Sequence, residues 1–101
     1  MLFLVISNPR PESPSTVKSN RQAYWKWIQP LLESKQALSV HARVGRGGVV
    51  LFDVDSNMTL HRLVSEWSEI VPAQFDIYPL VDSNSAQDYL KVHAQSGSGA
   101  G

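Results

Sequence analysis

The segment Gly47-Gly48-Val49-Val50-Leu51-Phe52-Asp53-Val54-Asp55-Ser56 constrains the fold more than any other. It reads as a glycine turn, a buried strand and a helix cap. The helix that follows carries Leu60, Leu63, Val64, Trp67, Ile70 and Val71 at helical spacing. Pro72 ends it, and a strand from Phe75 to Val81 follows at once. That is half of a split βαβ unit, and the first half of the chain repeats the plan.

Leu2 to Ile6 is a continuous apolar run, as expected of a strand covered on both faces. Asn8 to Pro14 holds three prolines and forms no regular element. Ser13 or Ser15 caps the next helix, with Pro14 suited to a first-turn position. Val17, Tyr24, Trp27, Ile28 and Leu31 share one helical stripe. Pro30 interrupts that stripe and is expected to kink or shorten the helix. Ala37 to Val44 reads as a second strand, turned into the third by Gly45-Arg46-Gly47-Gly48. Asp55 or Ser56 caps the second helix. Ser83 to His93 is expected to form a short helical arm.

The order β-α-β-β-α-β predicts an α+β, ferredoxin-like fold, with both helices on one face of an antiparallel sheet. Strands one, three and four read as apolar on both faces, so the other face needs a cover. The simplest is the sheet of a second copy, giving a dimeric α+β barrel. Residues 1–93 make the single domain, and 94–101 a disordered Gly/Ser tail or linker.

With 101 residues, a second domain is not expected. Nine basic and nine acidic residues cancel, which argues against nucleic acid and anionic lipid as partners. No cysteine is present, so disulfides and thiolate chemistry are excluded. The opening Met-Leu-Phe-Leu-Val-Ile lacks a basic flank and reads as a strand, not a signal peptide. No run approaches a membrane span, and a cytoplasmic location is expected.

Met1-Leu2-Phe3, Phe52-Asp53-Val54 with Ser56, Leu60-His61, and Asp76-Ile77 after a helix-ending proline resemble the muconolactone isomerase family. The resemblance runs over roughly residues 1 to 82. It implies a dimeric barrel that assembles further, and a cofactor-free isomerase that moves a double bond in an unsaturated lactone by proton transfer. The wider fold implies two alternatives: a cofactor-free monooxygenase, or a binding or assembly protein without activity. No catalytic residue is carried over from the family.

The site residues come from the sequence itself. Ser39, His41 and Arg43 share one face of the second strand. His41 is the candidate acid or base and Arg43 the anion holder; the competing reading is an edge strand facing water. Asp76 and Tyr78 share a face of the fourth strand, where an aspartate needs a bonded partner. Tyr24, Trp27 and Trp67 point from the helices toward the sheet, as pocket wall or as core. Tyr24 and Asp76 are candidate assistants in proton transfer; Arg43, Trp27, Trp67 and Tyr78 are candidate substrate contacts. His61 and Arg62 read as surface. His41, His61 and His93 lack metal-ligand spacing, so no metal site is expected. Arg46 to Phe52 partly matches the third strand of an RNA-recognition motif, but the stacking aromatics and basic charge are missing.

Overall fold

The computed structural model describes the backbone of residues 1–100 and the side chains of residues 1–92. The tail assigned to 94–101 lies outside the described side chains. The elements run β1 (Leu2–Pro9), α1 (Pro14–Glu33), β2 (Ala37–Ala42), β3 (Gly48–Asp53), α2 (Asn57–Ile70), β4 (Ala73–Leu80) and α3 (Ser83–Ala100). The strands form one antiparallel sheet in the order β2-β3-β1-β4, the ferredoxin-like arrangement.

Local chemistry sets the helix ends. Ser13 accepts from the Thr16 amide and Pro14 opens α1. Ser56, not Asp55, is the N-cap of α2, accepting from the Thr59 amide at 3.1 Å. Asp55 sits outside the cap and accepts from the Thr59 hydroxyl, which together with its neighbours lowers its pKa. Pro72 stops α2, with Val71 as its C-cap. Pro30 does not stop α1, which continues to Glu33. A proline near a C-terminus forfeits one backbone bond, and Ile28 and Leu31 keep that turn packed on the core.

β1 and β4 are longer than the apolar runs suggested, pairing continuously from Leu2↔Leu80 to Pro9↔Ala73. β2 is shorter and ends at Ala42, where the Gly45–Gly47 turn takes over. Gly47 has φ +111, and a Cβ there would stand 2.5 Å from the Ser7 carbonyl oxygen, so only glycine fits.

The side chains facing the helices fall in rows across the sheet. Phe3, Phe52 and Ala37 are cross-strand partners, as are Val5, Val50 and Val40. The next row holds Ser7, Gly48 and Ala42, with the Gly48 amide donating to Ser7 Oγ at 2.9 Å. A register shift between Ala37 and Ser39 lets Ala37 and Val40 share this face. Leu60, Leu63 and Trp67 of α2 and Tyr24 and Ile28 of α1 close over it. Burying each large apolar side chain contributes about 1.5–3 kcal/mol.

The opposite face carries Leu2, Leu4, Ile6, Val49 and Leu51, which are only half-buried. Tyr78 and Leu80 extend this face onto β4 and are exposed. Every side chain from Val81 to Val92 is exposed as well.

Candidate functional site

The helix-facing rows shrink along the sheet, from phenylalanine through valine to serine and glycine. α1 cannot close the gap at the small end, and a cavity of about 300 Å³ remains between α1, the β2–β3 hairpin and β1. Its deep end is built from Ser7, Gly48, Tyr24 and Trp67. Its mouth lies between Asn20, Arg21 and Trp25 of α1 and Arg43 and Arg46 beside the hairpin.

Gly48 makes the deep end possible. A Cβ at this position would lie 3.2 Å from the Tyr24 hydroxyl and 3.3 Å from the edge of Trp67. The rings therefore rest against bare backbone. Tyr24 is 8% exposed and its hydroxyl is buried without a hydrogen-bond partner. Leaving such a donor unmet costs roughly 1–3 kcal/mol. Burial also pushes the phenol pKa up to about 12, so the group stays protonated near neutrality and acts as a donor. Ser7 is 1% exposed; its oxygen accepts from Gly48, which leaves its own proton free to donate.

The mouth is cationic. Arg21 is exposed and Arg46 half-buried. One terminal nitrogen of Arg43 donates to the Ser7 carbonyl at 3.0 Å and to the Asn8 side chain. Arg46 donates to the Arg10 carbonyl. Among the described residues no carboxylate pairs with these guanidinium groups, and no acidic side chain lines the cavity.

The sequence-derived candidates divide between the two faces. Tyr24, Trp67 and Arg43 meet at the cavity. Trp27 stands behind them: it stacks at 6.2 Å on Tyr24 and 6.0 Å on Trp67, and its indole donates to Glu66 at 2.9 Å. It ties α1 to α2 and does not line the cavity. Trp67 is also the hub of the aromatic core, touching Phe52 and Phe75 edge-on. His41 stands at the rim, exposed, but pairs with Val49, so its imidazole registers with the open face. Asp76 and Tyr78 pair with Ile6 and Leu4 and also stand on the open face. Asp76 is exposed rather than buried as its strand suggested, so its position demands no partner; it accepts from the Asn8 amide at 3.0 Å. Neither residue reaches the cavity.

Sequence reasoning missed Ser7, Arg21 and Arg46. Ser7 could have been found by extending the inward parity of Phe3 and Val5 by one step.

The chain matches the family described as "Domain of unknown function (DUF3303)" over residues 1–94, and it belongs to that family. No curated protein matches it in sequence. Among solved structures it is similar to 5-chloro-2-hydroxyhydroquinone dehydrochlorinase from Burkholderia phenoliruptrix AC1100, in complex with 2,5-dihydroxybenzoquinone. That likeness has a TM-score of 0.69 at 16% identity and covers 84% of this chain and 98% of that one. It is also similar to a Deinococcus radiodurans protein described as an antibiotic biosynthesis monooxygenase. Here the TM-score is 0.53 at 11% identity, over 82% of this chain and 95% of that one. At these identities the likeness establishes the fold. Among the described residues no helix is long and apolar enough to cross a membrane.

Proposed function

We propose that this member of the DUF3303 family is a small cofactor-free enzyme of the muconolactone-isomerase kind. It takes a small planar, unsaturated compound into the cavity beneath α1 and moves a double bond by proton transfer. The observation that carries this reading is the buried, unpartnered hydroxyl of Tyr24, a residue that lines that cavity. A phenol that stays protonated is suited to donate to a carbonyl oxygen as it turns into an enolate, when a base removes the neighbouring proton. Arg43 and Arg46 supply positive charge nearby. The dehydrochlorinase of the same fold is described with a flat, oxygen-rich quinone bound, the kind of compound a cavity of this size accommodates.

His41, the rim residue with an imidazole, is the base in this reading, a role that requires the ring to turn from the open face toward the mouth. The test is turnover of unsaturated lactones and hydroxylated quinones, followed by absorbance. Tyr24→Phe should lower kcat by roughly 10²-fold or more, the scale of losing one oxyanion donor. Full activity in His41→Ala would remove His41 from the mechanism.

A second reading is a ligand-binding module on the same fold. His41 and Arg43 are exposed, and no carboxylate lines the cavity, which favours it. Binding of these compounds without turnover would select it. Oxygen consumption would select the monooxygenase alternative.

The proposal includes pairing of two copies through the open sheet face. The β2 edge of that face carries His41, and the β4 edge carries Asp76. A two-fold axis would bring unlike edges together over the apolar centre of Leu4, Ile6, Val49 and Leu51. A monomer by sedimentation at micromolar concentration would refute it.

A further inference from the structure

The cavity has two chemically different ends, and this difference restricts what it can hold. The deep end offers two neutral donors, the Tyr24 and Ser7 hydroxyls, both adjoining Gly48 and both buried. It has no cation. A full negative charge placed there would lose its hydration without a counter-charge, while a carbonyl or hydroxyl oxygen would be satisfied. The mouth offers guanidinium groups that no carboxylate neutralises among the described residues. Among the described residues the Arg21 side chain makes no hydrogen bond, and Arg43 and Arg46 commit one terminal nitrogen each to backbone or amide oxygens. Unengaged donors remain on each of them. An anionic group is the complement of that rim. The Tyr24 and Trp67 rings, in contact at 5.4 Å, wall the deep end and favour a flat apolar ligand body.

We propose that the ligand of this site is a single planar ring with an uncharged carbonyl or hydroxyl oxygen at one end and an anionic oxygen group at the other. The uncharged oxygen sits against Tyr24 and Ser7; the anionic group lies among Arg21, Arg43 and Arg46. Ser7 is thereby assigned as a binding residue. The inference rests on the cavity being a small-molecule site and adds the polarity and orientation of its ligand.

Calorimetric titration of the full chain with three probes tests it. 4-Hydroxybenzoate has both ends, 4-methylbenzoate lacks the deep oxygen, and phenol lacks the anion. 4-Hydroxybenzoate should bind about tenfold or more tighter than either of the others, the scale of one charge-assisted or buried hydrogen bond. Arg21→Gln should weaken both carboxylates and leave phenol unchanged; the side chain is exposed and unpartnered, so the variant should fold. Tyr24→Phe should erase the advantage of 4-hydroxybenzoate over 4-methylbenzoate. Equal binding of all three probes, or phenol matching 4-hydroxybenzoate, would overturn the two-ended site and leave the cavity as a general ring-binding pocket. No binding of any probe at millimolar concentration would overturn this inference, while lactone turnover would still decide the enzymatic reading separately.

Discussion

The two ends of the helix-covered sheet face share one backbone geometry and differ in side-chain volume. At the end of Phe3, Phe52, Leu60 and Leu63 the interior is filled. At the end of Ser7, Gly48 and Ala42 the same helices and strands leave a cavity. The contrast teaches that the site is made by omission: small residues, Ser7, Gly48 and Ala42, in one row across β1, β3 and β2, with a tyrosine hydroxyl left over the gap. In the proposed reading, stability belongs to the first end and recognition to the second. Substitutions should therefore separate the two.

The largest effect is expected at the filled end. Phe52→Ala removes a fully buried ring that meets Trp67 edge-on and should cost about 3–5 kcal/mol, read as a fall in Tm. A loss below about 1 kcal/mol would mean that this end is not the packed half of the molecule. Next comes Gly47→Ala, at the join between the hairpin and β1. The positive φ and the close Ser7 carbonyl should make it destabilising by about 1–3 kcal/mol. Gly48→Ala sharpens the contrast. Its Cβ would press on two buried ring edges that must give by a few tenths of an ångström, so stability should fall by about 1 kcal/mol, the low end of overpacking. Ligand binding should be lost, because the added methyl occupies the deep end. An unfolded Gly48→Ala variant, or one that binds normally, would break the division.

Tyr24→Phe probes the same end through pH. Its phenol pKa is raised by burial, so the native state holds the proton more tightly than the unfolded chain does. The resulting stabilisation is full below the unfolded value of about 10 and is lost as pH rises through the folded value. Wild-type protein should lose stability between pH 10 and about 12, the folded value, and Tyr24→Phe should flatten that limb. At neutral pH the variant should lie within about 1 kcal/mol of wild type, since it removes an unmet donor. The smallest effect is expected from Arg62→Ala. The exposed Arg62–Glu66 pair at 3.2 Å should contribute under about 0.5 kcal/mol.

Much of this fold was legible in the sequence, and the reasons are local. Helical stripes, Ser56 as cap and Pro72 as stop are short-range signals that tertiary contacts did not override. The shared face of Ser39 and His41 followed from strand alternation, as did that of Asp76 and Tyr78; Arg43 leaves it, because β2 ends at Ala42 and the side chain bonds Ser7 and Asn8 beside the cavity. Which side of the sheet those faces occupy was not legible. That depends on register, and on the shift between Ala37 and Ser39, which no single strand reveals. A pocket walled by Tyr24 and Trp67 was one of the two readings open to the sequence, but its polar floor was hidden for a related reason. It arises where Ser7, Gly48 and Tyr24, distant in sequence, come together, and each alone reads as a strand end, a turn and a core aromatic. Trp27 illustrates the converse: its spacing marked it as pocket or core, and its bond to Glu66 assigns it to the packing between helices.

The measurement that bears most directly on the cavity is an NMR titration of protein carrying isotope-labelled tyrosine, observed at the ring Cζ atoms, with 4-hydroxybenzoate as ligand. The three tyrosines report on different places: Tyr24 at the deep end, Tyr78 on the open sheet face and Tyr89 on α3. The account predicts a saturable shift of the Tyr24 signal with Tyr78 and Tyr89 unmoved. A still Tyr24 signal, or a shift confined to Tyr78, would contradict it by placing the ligand outside the cavity.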